Sequence, residues 1–119
     1  MLRYTLEAYS TVMVFIELPI FIRCANALFT DADLTELQIT LLENPAAGDL
    51  IPGGKGLRKI RAPLPGRGKR GGARVIYYYW VSKEKCYLVY AYAKNVAADL
   101  TKDQLHRLAA VIEAEVRDE

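Results

Sequence analysis

An α+β fold is predicted for this chain, with helices set against an antiparallel sheet, and three observations predict it. Helical patterning dominates from Pro19 to Glu43, β-branched and aromatic runs dominate from Leu57 to Lys94, and one more amphipathic stretch follows Thr101. Segregated helices and strands point to this class rather than to alternating β-α-β units. A chain of 119 residues supports one core, so residues 1–119 are taken as a single domain.

The first strand is "STVMVFIELP", rich in Val, Ile and Phe and ended by Pro19. From Pro19 to Phe29 a short helix is expected, with proline tolerated in its first turn. A second helix opens at Thr30 or Asp31. Its early acids, Asp31, Asp33 and Glu36, suit the positive end of the helix dipole, and "ENPAAG" from Glu43 to Gly48 stops it. "IPGGKG" (Ile51 to Gly56) is a loop, and "LRKIRA" (Leu57 to Ala62) alternates as a strand. After "PLPGRGKRGG" come two long strands, "ARVIYYYWV" and "KCYLVYAYAK", with "SKEK" (Ser82 to Lys85) as their hairpin turn. Thr101 caps the last helix, with Gln104 as its capping-box partner and Leu105, Leu108, Ile112 and Val116 in the apolar stripe.

Several classes fall away. Cys24 and Cys86 have no metal-type spacing and form no disulfide framework, which favours a reducing compartment such as the cytoplasm. The apolar run Thr11 to Ile22 is too short for a span of about 20 residues and is broken by Glu17 and Pro19. No membrane association is expected. Gly68-Lys69 is followed by Arg70, not Ser or Thr, so the nucleotide-binding P-loop is excluded. His106 is the one histidine, on the last helix, and neither a metal nor a cofactor is expected.

Charge carries the functional signal. From Lys55 to Lys85 there are ten basic residues and one acid, giving +9, whereas the rest of the chain sums to −7 and leaves the total at +2. Such asymmetry points to a polyanionic partner, most often nucleic acid; the plain alternative is a solvated basic loop. Alternation sends Lys59 and Arg61 to one face with Leu57, and Arg58, Ile60 and Ala62 to the other, while Arg74 shares a face with Ile76, Tyr78 and Trp80. If the strands are neighbours, Lys59, Arg61 and Arg74 converge, and the loop cations Arg67, Lys69 and Arg70 lie beside them. Most of the tyrosines on the paired strands suit a structural role, and one or two on the cationic face suit stacking on unpaired bases.

"LLENPAAGDLIPGGKGLRKIRAPLPGRGKRGGARVIYYYW", followed by "YAYAKNVAADLT", resembles the RelE/HigB branch of bacterial toxin–antitoxin toxins. The likeness is close from Leu41 to Thr101. It implies a helical pair on a curved antiparallel sheet with a C-terminal helix, a cognate antitoxin as protein partner, and endonuclease action on mRNA in the ribosome. It also implies roles: Lys59 and Arg61 near the scissile phosphate, Arg74 steadying the transition state, and Lys94 of "YAKN" at a fourth basic position. Some relatives carry a catalytic tyrosine near the C-terminus, yet no tyrosine follows Tyr92 here. Tyr92 or another sheet tyrosine substitutes, or the acid comes from elsewhere. Arg58, Arg67, Lys69, Arg70 and Tyr78 are the expected RNA-binding set. Two other readings stand beside this one: a ParE-like toxin that poisons gyrase without cutting RNA, and a nucleic-acid-binding module with no enzymology.

Overall fold

The computed structural model describes residues 2–6, 11–64, 72–94 and 100–117. The described elements are β1 (Leu2–Leu6), β2 (Thr11–Glu17), α1 (Pro19–Leu28), α2 (Asp31–Glu43), β3 (Asp49–Leu50), β4 (Leu57–Ala62), β5 (Ala73–Trp80), β6 (Lys85–Ala93) and α3 (Lys102–Arg117). They build one six-stranded sheet in the order β1-β2-β6-β5-β4-β3. The α+β architecture with a helical pair and a C-terminal helix matches the expectation. Two features add to it: β1 was not anticipated, and the β2–β6 pair is parallel while the others are antiparallel. Both strands of the parallel pair lie centrally, with side chains in both cores, where such pairing is favoured.

Local chemistry explains the helix boundaries. Pro19 occupies the first turn of α1, where its missing N–H is no loss. Thr30 and Asp33 form a reciprocal box: the Asp33 N–H donates to Thr30 Oγ1 at 3.1 Å, and the Thr30 N–H donates to Asp33 Oδ2 at 2.9 Å. Thr101 and Gln104 repeat the arrangement at the start of α3, at 3.1 and 2.9 Å. The β5–β6 hairpin closes through a 3₁₀ turn at Val81–Lys83, with Glu84 left-handed at φ 51°.

Each face of the sheet has its own core. Phe21, Ala25, Leu37, Leu41 and Leu42 of the helical pair pack on Phe15, Val75, Tyr77, Cys86 and Leu88. Leu105, Leu108, Ala109 and Ile112 of α3 pack on Leu57, Ile76, Tyr87, Val89 and Tyr92 of the opposite face. One group fits poorly: Gln38 of α2 is 1% exposed, and its Nε2 has no hydrogen-bond partner.

The turn between α2 and β3 is fastened from below. The Tyr77 hydroxyl donates to Pro45 O at 2.7 Å and accepts from the Gly48 N–H at 2.8 Å, while Arg58 Nη1 donates to Gly48 O at 2.8 Å. Gly48 is required by close approach, because a Cβ there would sit 2.7 Å from Tyr77 Cε1 and 2.9 Å from Lys59 O. The "NPAAGD" stretch is thus a clasp that fixes where β4, and Lys59 with it, meets the rest of the sheet.

Candidate active site

Register brings the cations together. Arg61 of β4 lies opposite Arg74 of β5, and Arg74 lies opposite Tyr92 of β6. One pleat along, Lys59 pairs with Ile76, and Ile76 with Tyr90. Cross-strand partners share a face, with Cα atoms about 4.5–5.5 Å apart. Lys59, Arg61, Arg74, Tyr90 and Tyr92 therefore occupy two adjacent rows on one side of the sheet, the side that α3 covers in part. The Arg61–Arg74 pairing sets like charges directly opposite each other, which costs stability. An anion between the two strands reverses the sign of that cost.

The neighbourhoods of these residues differ. Arg61 is exposed and Arg74 is half-buried, with Nη1 of Arg74 donating to Ala73 O at 3.2 Å. β3 pairs only with Arg58 and Lys59, so Arg61 lies beyond it, and it also borders a groove lined by Asp33, Glu36 and Thr40 of α2. Lys94 sits one residue past β6 and is half-buried, and its N–H donates to Gly72 O at 3.1 Å. That bond places it at the Arg74 end of the strand pair. Tyr92 is only 7% exposed and packs with α3, and its ring lies 6.0 Å from that of Tyr90. Beside it, a cavity of about 230 Å³ opens between Lys59, Tyr92, Ile51 and the start of α3 at Leu100, Lys102 and Leu105.

Two expected RNA-binding residues lie elsewhere. Arg58 points to the opposite face, paired in register with Tyr77, where its guanidinium holds the Ala46–Gly48 carbonyls. Its alternation with Lys59 and Arg61 imposes that placement. Tyr78 pairs with Leu57 and Tyr87, four residues from Arg74 and so about 13 Å along the strand. There it faces Gly56 and the C-terminal half of α3 rather than the cations. Arg67, Lys69 and Arg70 lie outside the described residues.

Two residues join the site without having been singled out. Tyr90 follows from period two, since it shares the parity of Tyr92 and is more exposed. Lys102 had no local signal, because only the docking of α3 brings it near Lys59. Among the described residues, no group of three or more His, Cys, Asp or Glu side chains is placed to hold a metal ion. Nor is any described helix long and apolar enough to cross a membrane.

Comparison with known proteins agrees with this architecture. The family model for the RelE toxin of the RelE/RelB toxin–antitoxin system matches residues 19–116. Among solved structures, a double arginine-to-alanine mutant of E. coli toxin RelE in the free state is similar in fold. It has a TM-score of 0.53 at 13% sequence identity, over 82% of this chain and 94% of that one. Matched over well more than half of its length, from α1 through α3, the chain belongs to the RelE toxin family.

Proposed function

We propose that the protein is an endoribonuclease that cuts mRNA on the ribosome in the cytoplasm, without a metal ion, and is silenced by a cognate antitoxin. The row Arg61–Arg74–Tyr92, with Lys59 one pleat away, carries the reading. In the reaction, the ribose 2′-oxygen attacks the adjacent phosphorus and loses its proton to a base. The bond from phosphorus to the 5′-oxygen breaks, and that oxygen takes up a proton. The products are a 2′,3′-cyclic phosphate and a free 5′-hydroxyl.

Negative charge grows on the non-bridging oxygens as phosphorus becomes five-coordinate. Arg61 and Arg74, whose Cα atoms are held opposite each other on neighbouring strands, bring cations there, and charge placed in advance of the reaction is commonly the largest catalytic term. Lys59 stands where it can take or return a proton, and Lys94 adds charge at the Arg74 end. Tyr90 offers a ring face to an unpaired base.

Replacing Arg74 by Ala tests the proposal. Cleavage should fall on the order of 100- to 1,000-fold, the loss typical of one transition-state donor, with the melting temperature retained. Undiminished cleavage or toxicity removes the catalytic role. A second reading, a ParE-like toxin that poisons gyrase, is favoured by one observation: the Tyr92 phenol is almost wholly covered, which leaves proton transfer with few candidates. Intact RNA alongside broken DNA after induction selects that reading.

A further inference from the structure

Four cavities can be compared among the described residues, and their charged linings separate them. The groove between α2 and β4 carries Asp33 and Glu36. Two others flank the Lys55–Glu113 ion pair, with Nζ 2.9 Å from Oε1, and both present the Glu113 carboxylate. The fourth, between β4, β6, the Ile51 loop and the start of α3, is lined by no acid. Its charged members are Lys59 and Lys102.

The walls of that fourth cavity suit one ligand class. Ile51, Leu100 and Leu105 are apolar, and Tyr92 adds an aromatic ring. At about 230 Å³ it is smaller than the roughly 300–1,000 Å³ of sites for drug-sized molecules. A small apolar and aromatic slot with cations at its rim fits a single planar base and its flanking phosphates. Single-stranded RNA is recognised in this way, by bases splayed out of the chain onto aromatic and apolar surfaces. The slot also lies next to the candidate active site, because Tyr92 pairs with Arg74 and Lys59 is two residues from Arg61.

We infer that this cavity is a base-selecting subsite: it takes the nucleobase next to the scissile phosphate, while Lys102 binds the phosphate on the far side of that base. The inference rests on the nuclease reading and deepens it, since it assigns sequence preference to α3 and the Ile51 loop. Lys102 is exposed at the first turn of α3, so it is free to reach a backbone phosphate at little cost to packing.

The test is transcriptome-wide mapping of RNA 5′ ends after induction of the full chain, its Leu100→Trp and Lys102→Ala variants, and Arg74→Ala. Leu100→Trp partly fills the slot and should change the accepted base at one position beside the cut, leaving other positions alone. Lys102→Ala should lower cut frequency on the order of tenfold at unchanged sites, as expected for loss of a sequence-neutral phosphate contact. Should Leu100→Trp unfold, Lys102→Ala still decides, because its side chain is exposed. Wild-type sites and frequencies in both variants, with Arg74→Ala inactive, overturn the subsite alone. No cuts by the parent chain, or equal cuts by Arg74→Ala, overturn the nuclease reading beneath it.

Discussion

Tyr77→Phe removes one oxygen atom and unfastens the turn that positions β4. The hydroxyl accepts from the buried Gly48 N–H at 2.8 Å and donates to Pro45 O at 2.7 Å. Phenylalanine leaves the Gly48 donor buried without its partner, a cost of about 1–3 kcal/mol. Pro45 is half-buried, so its carbonyl recovers water and adds less. Relief from desolvating the hydroxyl offsets part of the loss, and the balance is about 2 kcal/mol. For a chain of this size that is a fall in Tm of about 8 °C. Urea unfolding in the Arg74→Ala background, which avoids toxicity to the expression host, measures it directly.

A pH signature accompanies the stability change. Burial, partly offset by the Gly48 hydrogen bond, pushes the Tyr77 phenol above its ordinary value of 10.0. Below pH 10 the phenol is protonated in both folded and unfolded chains. Above it the unfolded chain ionises first, so stability drains away as pH climbs toward the folded value. Tyr77→Phe should therefore lose less stability than its parent between pH 10 and 11. A change under about 0.5 kcal/mol at neutral pH, or an unaltered alkaline slope, refutes the clasp.

The buried Cys86 thiol is pushed by desolvation from 9.0 up to about 12. Stability should thus fall above pH 9 by about 1.4 kcal/mol per pH unit from this group, and Cys86→Ala should flatten that part of the denaturation midpoint against pH. Gln38→Met removes a buried amide nitrogen that has no partner; a gain of about 1 kcal/mol in urea titration is expected, and a loss contradicts the assignment. Arg58→Ala strips the donor from Gly48 O and should cost about 1–2 kcal/mol by the same titration; parent-like stability would return Arg58 to the pool of RNA-binding cations.

How much of this was legible in sequence depended on the range over which each feature is encoded. The Thr101–Gln104 capping box was readable because it spans three residues, and Thr30 was one of two caps open for α2, whereas Asp33 signalled only a favoured charge and not its reciprocal bond with Thr30. The shared face of Lys59, Arg61 and Arg74 followed from period two, once β4 and β5 were taken as neighbours. Tyr78 has the parity of Arg74, but period two says which face a residue lies on, not which end of the strand it occupies. The parallel β2–β6 pairing joins Val14 to Lys85, and no local signal announces a contact over that separation. β1 does alternate, with Leu2, Tyr4 and Leu6 against Arg3 and Thr5, but five residues are too short a run to announce a strand alone, and its place in the sheet comes from pairing with β2. Lys102 was invisible for the same reason: its nearness to Lys59 exists only after α3 has packed on the sheet.

The central claim, that sheet-borne arginines drive 2′-hydroxyl attack on RNA, is tested most directly by the chemistry of the cut ends. RNA recovered after induction should carry 2′,3′-cyclic phosphate and 5′-hydroxyl termini, and Arg74→Ala should remove them. Termini bearing 5′-phosphate, or the same cyclic ends produced undiminished by Arg74→Ala, would contradict the account.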